Sequence, residues 1–239
     1  MSTTTYQGTE LDLFATARVW KEYLASHLAP FLGSQVLEVG AGIGGTTRAL
    51  LPFSNGSWTC LEPDPAQAER IAASIRAGSL PSRCTVITGT LGDLPATASF
   101  DTILYIDVLE HLSDDREELA HAARRLAPGG CLVVLAPAHQ KLFTPFDAAI
   151  GHKRRYGRRS LECLSPPGLE LVRSLYLDSV GLLASACNHF LLGSSMPTPL
   201  QIAFWDGILV RCSKLLDPLT GFRLGKSLLT IWRKSHRDR

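Results

Sequence analysis

Residues 36–45 read VLEVGAGIGG, an apolar run that leads into closely spaced glycines. The run fits a G-x-G-x-x-G turn of dinucleotide-binding folds through three glycines: Gly40, Gly42 and Gly45. It also fits an acidic-x-G-x-G-x-G turn that starts at Glu38 and includes Gly44. Because a helical pattern, TTRALLP, follows, the glycines are predicted to lie on a strand-to-helix turn.

Around this turn, strand-like and helix-like segments alternate along the chain. The strand-like runs are QVLEV, WTCLEP, CTVITG, FDTILYIDV and GGCLVVLAP. The helical patterns that follow include AQAERIAASIRAG and DDREELAHAARRL, and residues 10–30 have the spacing of one or two leading helices. Nearly continuous apolar strands separated by helices predict a parallel sheet covered on both faces.

The regular alternation of strand-like and helix-like segments ends after residue 138. A polar, basic stretch (139–160) precedes a predicted strand, LELVRSLYL, a Gly/Ser/Pro segment, LLGSSMPTP, and a predicted helix, PLQIAFWDGILVRCSKLLDPL. One face of that helix carries five regularly spaced side chains: Ile202, Trp205, Leu209, Cys212 and Leu216. We predict one domain over 1–239, made of a helical lid (1–32), a cofactor-binding core (33–138), an acceptor-site loop and cap (139–225) and a last strand (226–234).

Composition narrows the class of protein. At 239 residues and 45% hydrophobic content the chain can bury one sizeable core, and a formal net charge of +2 argues against bulk nucleic-acid binding. The six cysteines are too far apart for a C-x-x-C site, so we expect reduced thiols. The first residues lack a basic and then apolar leader, and no uninterrupted apolar window reaches roughly 18 residues. We therefore expect a cytoplasmic protein without a membrane span.

The charge at the end of strand one favours one cofactor over the other. A carboxylate at Glu38 would repel the pyrophosphate of a dinucleotide, but it complements the ammonium and sulfonium groups of S-adenosylmethionine (SAM). Glu62 ends strand two, where a carboxylate accepts hydrogen bonds from ribose hydroxyls, and this serves either cofactor.

The segment YIDVLEHL after strand four, together with VLEVGAGIGG and LAPGG, resembles the ordered signature of class I SAM-dependent methyltransferases over residues 36–138. The resemblance implies a three-layer α/β/α Rossmann-like fold with SAM as cofactor and a mixed seven-stranded sheet of order 3-2-1-4-5-7-6, the last strand antiparallel. It assigns the methionine half to Glu38 and the glycine turn, the ribose to the Glu62 loop, the adenine to the loop after strand three and the methyl channel to the loop after strand four. The residues implied to bind SAM are Glu38, Gly40, Ala41, Gly42, Gly44, Glu62, Pro63, Thr90, Leu91, Asp107 and Val108.

The stretch PAHQKLFTPFDAAIGHKRRYGRRSL resembles a pattern of bacterial methyltransferases of this class, some linked to glycosyltransferases, with an Asp and a GH-x-RRY motif after strand five. The matching residues are Asp147, Gly151, His152, Arg154, Arg155 and Tyr156. We predict His139 and His152 as catalytic bases, since histidine titrates near neutral pH. Guanidinium groups suit carboxylates and phosphates, so Arg154, Arg155 and Tyr156 are predicted to bind an acceptor with an acidic group; a solvated basic turn is the alternative.

The predicted function is SAM-dependent O- or N-methylation of a small anionic metabolite or natural-product intermediate. The alternatives are a SAM-binding protein without methyl transfer, in a cyclase or partner role, and an NAD-dependent oxidoreductase. A third is a metal-assisted 2′-O-methyltransferase, because Asp107, Glu110, His111 and His152 resemble the ligands of that class; we predict no metal. The apolar cap face could roof the site, form a homodimer contact or touch lipid, while Tyr6, Trp20 and Lys21 are expected to close over the methionine end of SAM.

Overall fold

The computed structural model describes residues 10–187 and 197–235, so Tyr6 and most of LLGSSMPTP lie outside the described residues. The strands are β1 (Gln35–Val39), β2 (Ser57–Glu62), β3 (Cys84–Thr88), β4 (Phe100–Ile106), β5 (Leu126–Pro137), β6 (Leu169–Leu177) and β7 (Ser227–Lys234). The helices are α1 (Glu10–Ala15), α2 (Arg18–Leu28), α3 (Gly45–Leu50), α4 (Pro65–Arg76), α5 (Asp115–Arg124), α6 (Pro145–Ala149), α7 (Arg158–Glu162), α8 (Ser179–Cys187), α9 (Pro199–Phe204) and α10 (Val210–Leu219). None of these described helices is long and apolar enough to cross a bilayer.

The strands form one sheet in the order β3-β2-β1-β4-β5-β7-β6. β1 to β5 pair in parallel, whereas β7 runs antiparallel to both β5 and β6. The predicted strand order, with its antiparallel last strand, is therefore confirmed.

Two hydrophobic cores lie on opposite faces of this sheet. Along each strand, successive side chains point to opposite faces, so Val36 and Leu37 belong to different core clusters, as do Leu104 and Tyr105. Both clusters contain fully buried residues, which is why the central strands are apolar at most positions on both faces. The resulting three-layer α/β/α arrangement confirms the predicted fold class.

The second half of the chain holds more helix than the sequence pattern suggests. α6 lies within the basic stretch and begins with a reciprocal cap, in which the Thr144 side chain and the Asp147 backbone and carboxylate exchange hydrogen bonds. α8 has small and apolar residues on all sides, so it lacks the periodicity that would predict a helix. The single helix predicted over residues 199–219 is interrupted by a π-helical turn at Trp205–Leu209.

Buried aspartates tie the helical lid to the cap. The carboxylate of Asp206 accepts hydrogen bonds from the backbone N–H groups of Val19 (3.1 Å) and Trp20 (2.8 Å), at the start of α2. Asp217 on α10 accepts from the Tyr23 hydroxyl at 2.8 Å and from the backbone N–H of Asp178 at 2.8 Å. These bonds satisfy helix-start donors that lack intrahelical partners, and they hold α2 and α10 together.

Candidate functional site

A cavity of about 680 Å³ opens at the carboxyl ends of the central parallel strands. β1 lies between β2 and β4, so the chain connections leave it on opposite sides of the sheet, and a crevice forms where they diverge. The predicted site residues that line the cavity are Glu38, Gly40, Ala41, Gly42, Glu62, Pro63, Asp107, Val108, His152 and Arg155.

At Gly40 the glycine turn is packed so closely that a larger residue does not fit. Gly40 has a φ of +67°, and a Cβ there would lie 2.6 Å from Cγ2 of Val108. The loop after β1 thus lies directly against the loop after β4. Gly42 also has positive φ, and its N–H donates to Glu62 at 2.7 Å, which joins the turn to the end of β2.

Glu38 lies beneath the turn with its side chain almost fully enclosed. Its Oε2 accepts hydrogen bonds from the Thr47 hydroxyl at 2.6 Å and from the Trp58 indole at 2.9 Å. Burial raises the pKa of Glu38 to about 7, although these two hydrogen bonds partly oppose the shift. The carboxyl therefore anchors α3 behind the turn as well as facing the cavity.

Glu62 has one oxygen on each neighbouring loop. Oε2 accepts from Gly42, and Oε1 accepts from the backbone N–H of Asp64 at 2.9 Å. Burial raises the pKa of Glu62, while the two backbone donors lower it in part. A carboxyl held in this way has a fixed orientation at the cavity wall, next to Pro63.

Asp107 follows β4 with a φ of +54°, an uncommon backbone conformation for a residue other than glycine. Its side chain opens into the cavity, where the surrounding protein removes part of its contact with water. This enclosure raises the pKa of Asp107 to about 6, against the opposing charges of His152 and Lys226. Strain of this kind is characteristic of functional sites.

On the other side of the cavity, Asp147 gathers donors from three residues. Its carboxylate accepts from the backbone and hydroxyl of Thr144, from Nδ1 of His152 at 2.9 Å, and from Nε and Nη2 of Arg155, each at 2.8 Å. Burial alone would raise the pKa of Asp147, but the hydrogen bonds from His152 and Arg155 outweigh it and lower the pKa. The Asp147 carboxylate thereby fixes the ring of His152 with Nε2 directed away from it.

Glu110 lies next to Nε2 of His152 and is fully buried, and neither of its carboxylate oxygens has a hydrogen-bond partner among the described residues. Burial, reinforced by the nearby charge of Asp107, raises its pKa well above the usual range. Oε1 lies 3.6 Å from Nε2 of His152. Ligand-type atoms of Glu110, His111 and His152 all lie within 4.8 Å of one another, so these three residues could hold a metal ion.

Several predicted site residues lie outside the lining of this cavity. Arg154 and the buried Tyr156 both bond Oδ2 of Asp115, at 2.8 and 2.7 Å. His139 stacks on Tyr176 at 5.1 Å, and its Nε2 lies 3.0 Å from the carbonyl oxygen of Gly225.

Three of the residues predicted to bind the cofactor do not line the cavity and instead have structural roles. Thr90 caps the turn Leu91–Asp93 through a reciprocal pair of hydrogen bonds with Asp93. Leu91 is buried in one of the two cores. Gly44 has a φ of +74° and is the N-cap residue that precedes α3.

Sequence reasoning missed Lys226, which lines the cavity immediately before β7. Burial lowers its pKa, and its Nζ lies 4.8 Å from the centre of the Trp205 ring. In the sequence, Lys226 is marked only by its position before a predicted strand. It reaches the cavity because β7 pairs with β5 in the sheet. From the lid, Trp20 and Lys21 line the cavity as well.

The family described as a methyltransferase domain matches residues 37–132. The 24-methylenesterol C-methyltransferase 2 of Oryza sativa subsp. japonica is 32% identical over 117 residues, which are 48% of this chain and 32% of that protein. The demethylmenaquinone methyltransferase of Tropheryma whipplei (strain Twist) is 34% identical over 146 residues, 59% of this chain and 58% of that protein. The chain therefore spans less than two thirds of the length of either relative.

Solved structures share the fold at low sequence identity. The N-methyltransferase NodS from Bradyrhizobium japonicum WM9, in complex with S-adenosyl-L-homocysteine (SAH), aligns with a TM-score of 0.55 at 18% identity over 89% of this chain and 84% of that chain. The [4+2]-cyclase SpnF aligns with a TM-score of 0.63 at 17% identity over 90% of this chain and 80% of that chain. The same fold is thus found in an N-methyltransferase and in a [4+2]-cyclase, so the fold alone does not specify the reaction.

Proposed function

We propose that this chain, which belongs to the class I SAM-dependent methyltransferase family, transfers the methyl group of SAM to a small-molecule acceptor. The observation that carries the proposal is the single cavity shared by the glycine turn and by the Asp147–His152 pair. A cofactor on the first and an acceptor on the second would meet in one enclosed space, and enclosure with alignment is the main demand of methyl transfer.

The residues around the glycine turn fit the cofactor. Glu62 is already oriented at the wall, where it can accept from ribose hydroxyls, and the carboxyl of Asp107 faces the cavity, where it can attract a cationic group. Glycine at position 40 allows the close approach of the two loops. When bound, SAM would supply the electrophilic methyl group. We propose Thr90 and Leu91 only as neighbours of the adenine end, since neither lines this cavity.

His152 is the proposed proton acceptor for a hydroxyl or a protonated amine on the acceptor. Its Nδ1 is held by Asp147, so Nε2 is the nitrogen available to take a proton, and the Asp147 carboxylate would stabilise the resulting imidazolium. His139 is a weaker candidate, because its Nε2 is engaged with Gly225.

The acceptor half of the cavity combines an apolar wall with cationic side chains. Four of the large apolar residues that line it are Phe14, Phe146, Ile150 and Trp205. Arg155 and Lys226 line it, but Arg155 is already paired with Asp147, so Lys226 is the cation proposed to meet an acidic group on the acceptor. Arg154 and Tyr156 are engaged with Asp115. The relatives named for sterol and demethylmenaquinone methylation are consistent with an acceptor that has a large apolar body.

Titration calorimetry with SAM, SAH and NADH tests the cofactor assignment. Binding of both sulfur ligands, without binding of NADH, is expected; binding of NADH alone would overturn the proposal. A screen of phenolic, amine and carboxylate acceptors with radiolabelled SAM then tests transfer. His152→Gln should lower turnover by about 10²–10⁴-fold, whereas His121→Gln, on the half-exposed outer side of α5, should not. SAM binding without transfer to any acceptor would favour the non-transferring cyclase or partner role.

Metal-assisted transfer is a second candidate function, favoured by the cluster of Glu110, His111 and His152. Two imidazoles and a carboxylate suit a first-row divalent ion. In that case Glu110 would be ionised by the metal, and His152 would be a ligand instead of a base. Activity that is lost on chelation and restored by Mn²⁺ would select this reaction, and full activity in chelator would reject it.

A further inference from the structure

The outward side of the cap carries a row of large apolar side chains. We call the outward residues of α9, the π-helical turn and α10 the cap stripe: Leu200, Phe204, Ile208, Leu215 and Leu219. Their side chains are 83%, 54%, 51%, 74% and 81% exposed, respectively. The solvent side of a surface helix is ordinarily polar, so this face departs from the usual pattern.

The opposite side of the same helices faces the protein. Ile202 and Val210 are buried, and Trp205 lines the cavity. The cap stripe is therefore the outer surface of a wall whose inner surface belongs to the candidate active site. The sequence pattern predicted one apolar side through Ile202, Trp205, Leu209, Cys212 and Leu216. Ile202 is buried, but Cys212 and Leu216 are exposed, because the π-helical turn at Trp205–Leu209 changes the helical register between them.

Between residues 197 and 226, all of the solvent-exposed charge is positive. The two acidic residues between positions 197 and 226, Asp206 and Asp217, are buried and bonded to backbone and hydroxyl donors. The exposed charges of this region are cationic: Arg211, Lys214 and Arg223. Beside Arg211, α2 contributes one exposed charge of each sign, Arg18 and Glu22, which offset each other.

We propose that the cap stripe docks on the surface of an anionic lipid bilayer, with α9 and α10 lying in the plane of the interface. Apolar side chains would enter the acyl boundary while Arg211, Lys214 and Arg223 meet lipid phosphates, which is the pattern of interfacial helices. A second copy of the chain fits this face less well. A two-fold contact places each face against itself, so Arg211 and Lys214 of one copy would lie near those of the other.

Docking is independent of the proposed methyl transfer, so we test it by binding alone. The purified full chain is floated with phosphatidylcholine vesicles and with vesicles in which phosphatidylglycerol replaces part of the phosphatidylcholine. Binding to the anionic vesicles, weakened by added salt, is expected. The variant Phe204→Ser/Leu215→Ser/Leu219→Ser should bind at least about tenfold more weakly, because each exposed side chain contributes part of its transfer free energy. Phe53→Ser is the matched control, since Phe53 is 50% exposed and lies outside the cap.

Three results would overturn the proposal. The first is that the wild type binds neither kind of vesicle. The second is that the wild type and the triple variant bind the anionic vesicles equally well. The third is a wild-type dimer in light scattering that becomes a monomer in the triple variant, without vesicle binding; it would mean that a second copy covers the stripe. Circular dichroism and thermal unfolding of each variant would establish that it is folded.

Discussion

Replacing Asp147 with asparagine should destabilise the protein more than any change at an exposed ion pair. The side chain is 1% exposed, and it accepts two hydrogen bonds from the guanidinium of Arg155, which is itself only 10% exposed. The variant Asp147→Asn keeps the shape but removes the charge, and its amide N–H₂ would face groups that are all donors. Removing one partner of a buried pair costs about 3–5 kcal/mol, because the other charge stays buried without compensation.

The effect should depend on pH in a defined direction. The folded-state pKa of Asp147 lies below its unfolded value, so its contribution to the free energy of unfolding is complete above the unfolded pKa. That contribution is lost as pH falls below about 4 through the folded-state value. The difference between wild type and Asp147→Asn should therefore be largest at neutral pH and should shrink at acid pH.

Urea unfolding at neutral pH and at about pH 3 would measure both effects. Asp12→Asn is the control, because Asp12 pairs with Arg70 at an exposed site, and such pairs contribute about 0–1 kcal/mol. A double-mutant cycle with Arg155→Gln would assign the loss to the pair, with an expected coupling of about 2 kcal/mol or more. If Asp147→Asn cost no more than Asp12→Asn, the view of Asp147 as the electrostatic centre of the acceptor side would be wrong.

Two further predictions concern the cofactor side. Gly40→Ala should weaken SAM binding at least about tenfold in calorimetry, because its Cβ would lie 2.6 Å from Val108. Gly78→Ala, with the same sign of φ but no atom of the described residues within 4 Å of its Cβ, should leave SAM affinity unchanged. The pKa of Glu38 is raised to about 7, so its contribution to stability is complete below the unfolded value near 4.5 and is lost as pH rises through about 7. Glu38 should account for a fall of about 2–3 kcal/mol in wild-type stability over that window. Glu38→Gln, which still accepts from Thr47 and Trp58, should reduce the pH dependence by that amount in unfolding experiments and leave the part due to the other buried carboxyls.

The sequence predicted the sheet well because each central strand is buried on both faces. A strand such as β5 is apolar at nearly every position, and the alternation with amphipathic helices leaves few topologies open. The helices α6 and α8 were harder to predict. α6 is only one short turn stabilised by its cap, and α8 lacks a polar face.

Most of the predicted residues on the loops after β1, β2 and β4 line the cavity, because their position follows from topology. The sequence was less informative for side chains whose partners come from distant segments. Nothing in GHKRRY shows that Arg155 faces the cavity through Asp147, whereas Arg154 turns to Asp115 on α5. The partner of a long charged side chain is often distant in sequence, so a local pattern of charge does not predict which ion pair forms.

The position of β7 in the sheet affects the order in which the protein can be built. β7 lies between β5 and β6, although β6 precedes it in the chain. During synthesis, β6 therefore emerges before β7, the strand that connects it to the rest of the sheet. About 50 further residues separate the end of β6 from the start of β7. Lys226 and Ser227, which line the cavity, arrive at the same late stage. A nascent chain could thus fold the sheet from β1 to β5 early, but it would have no complete cavity until β7 closed the gap.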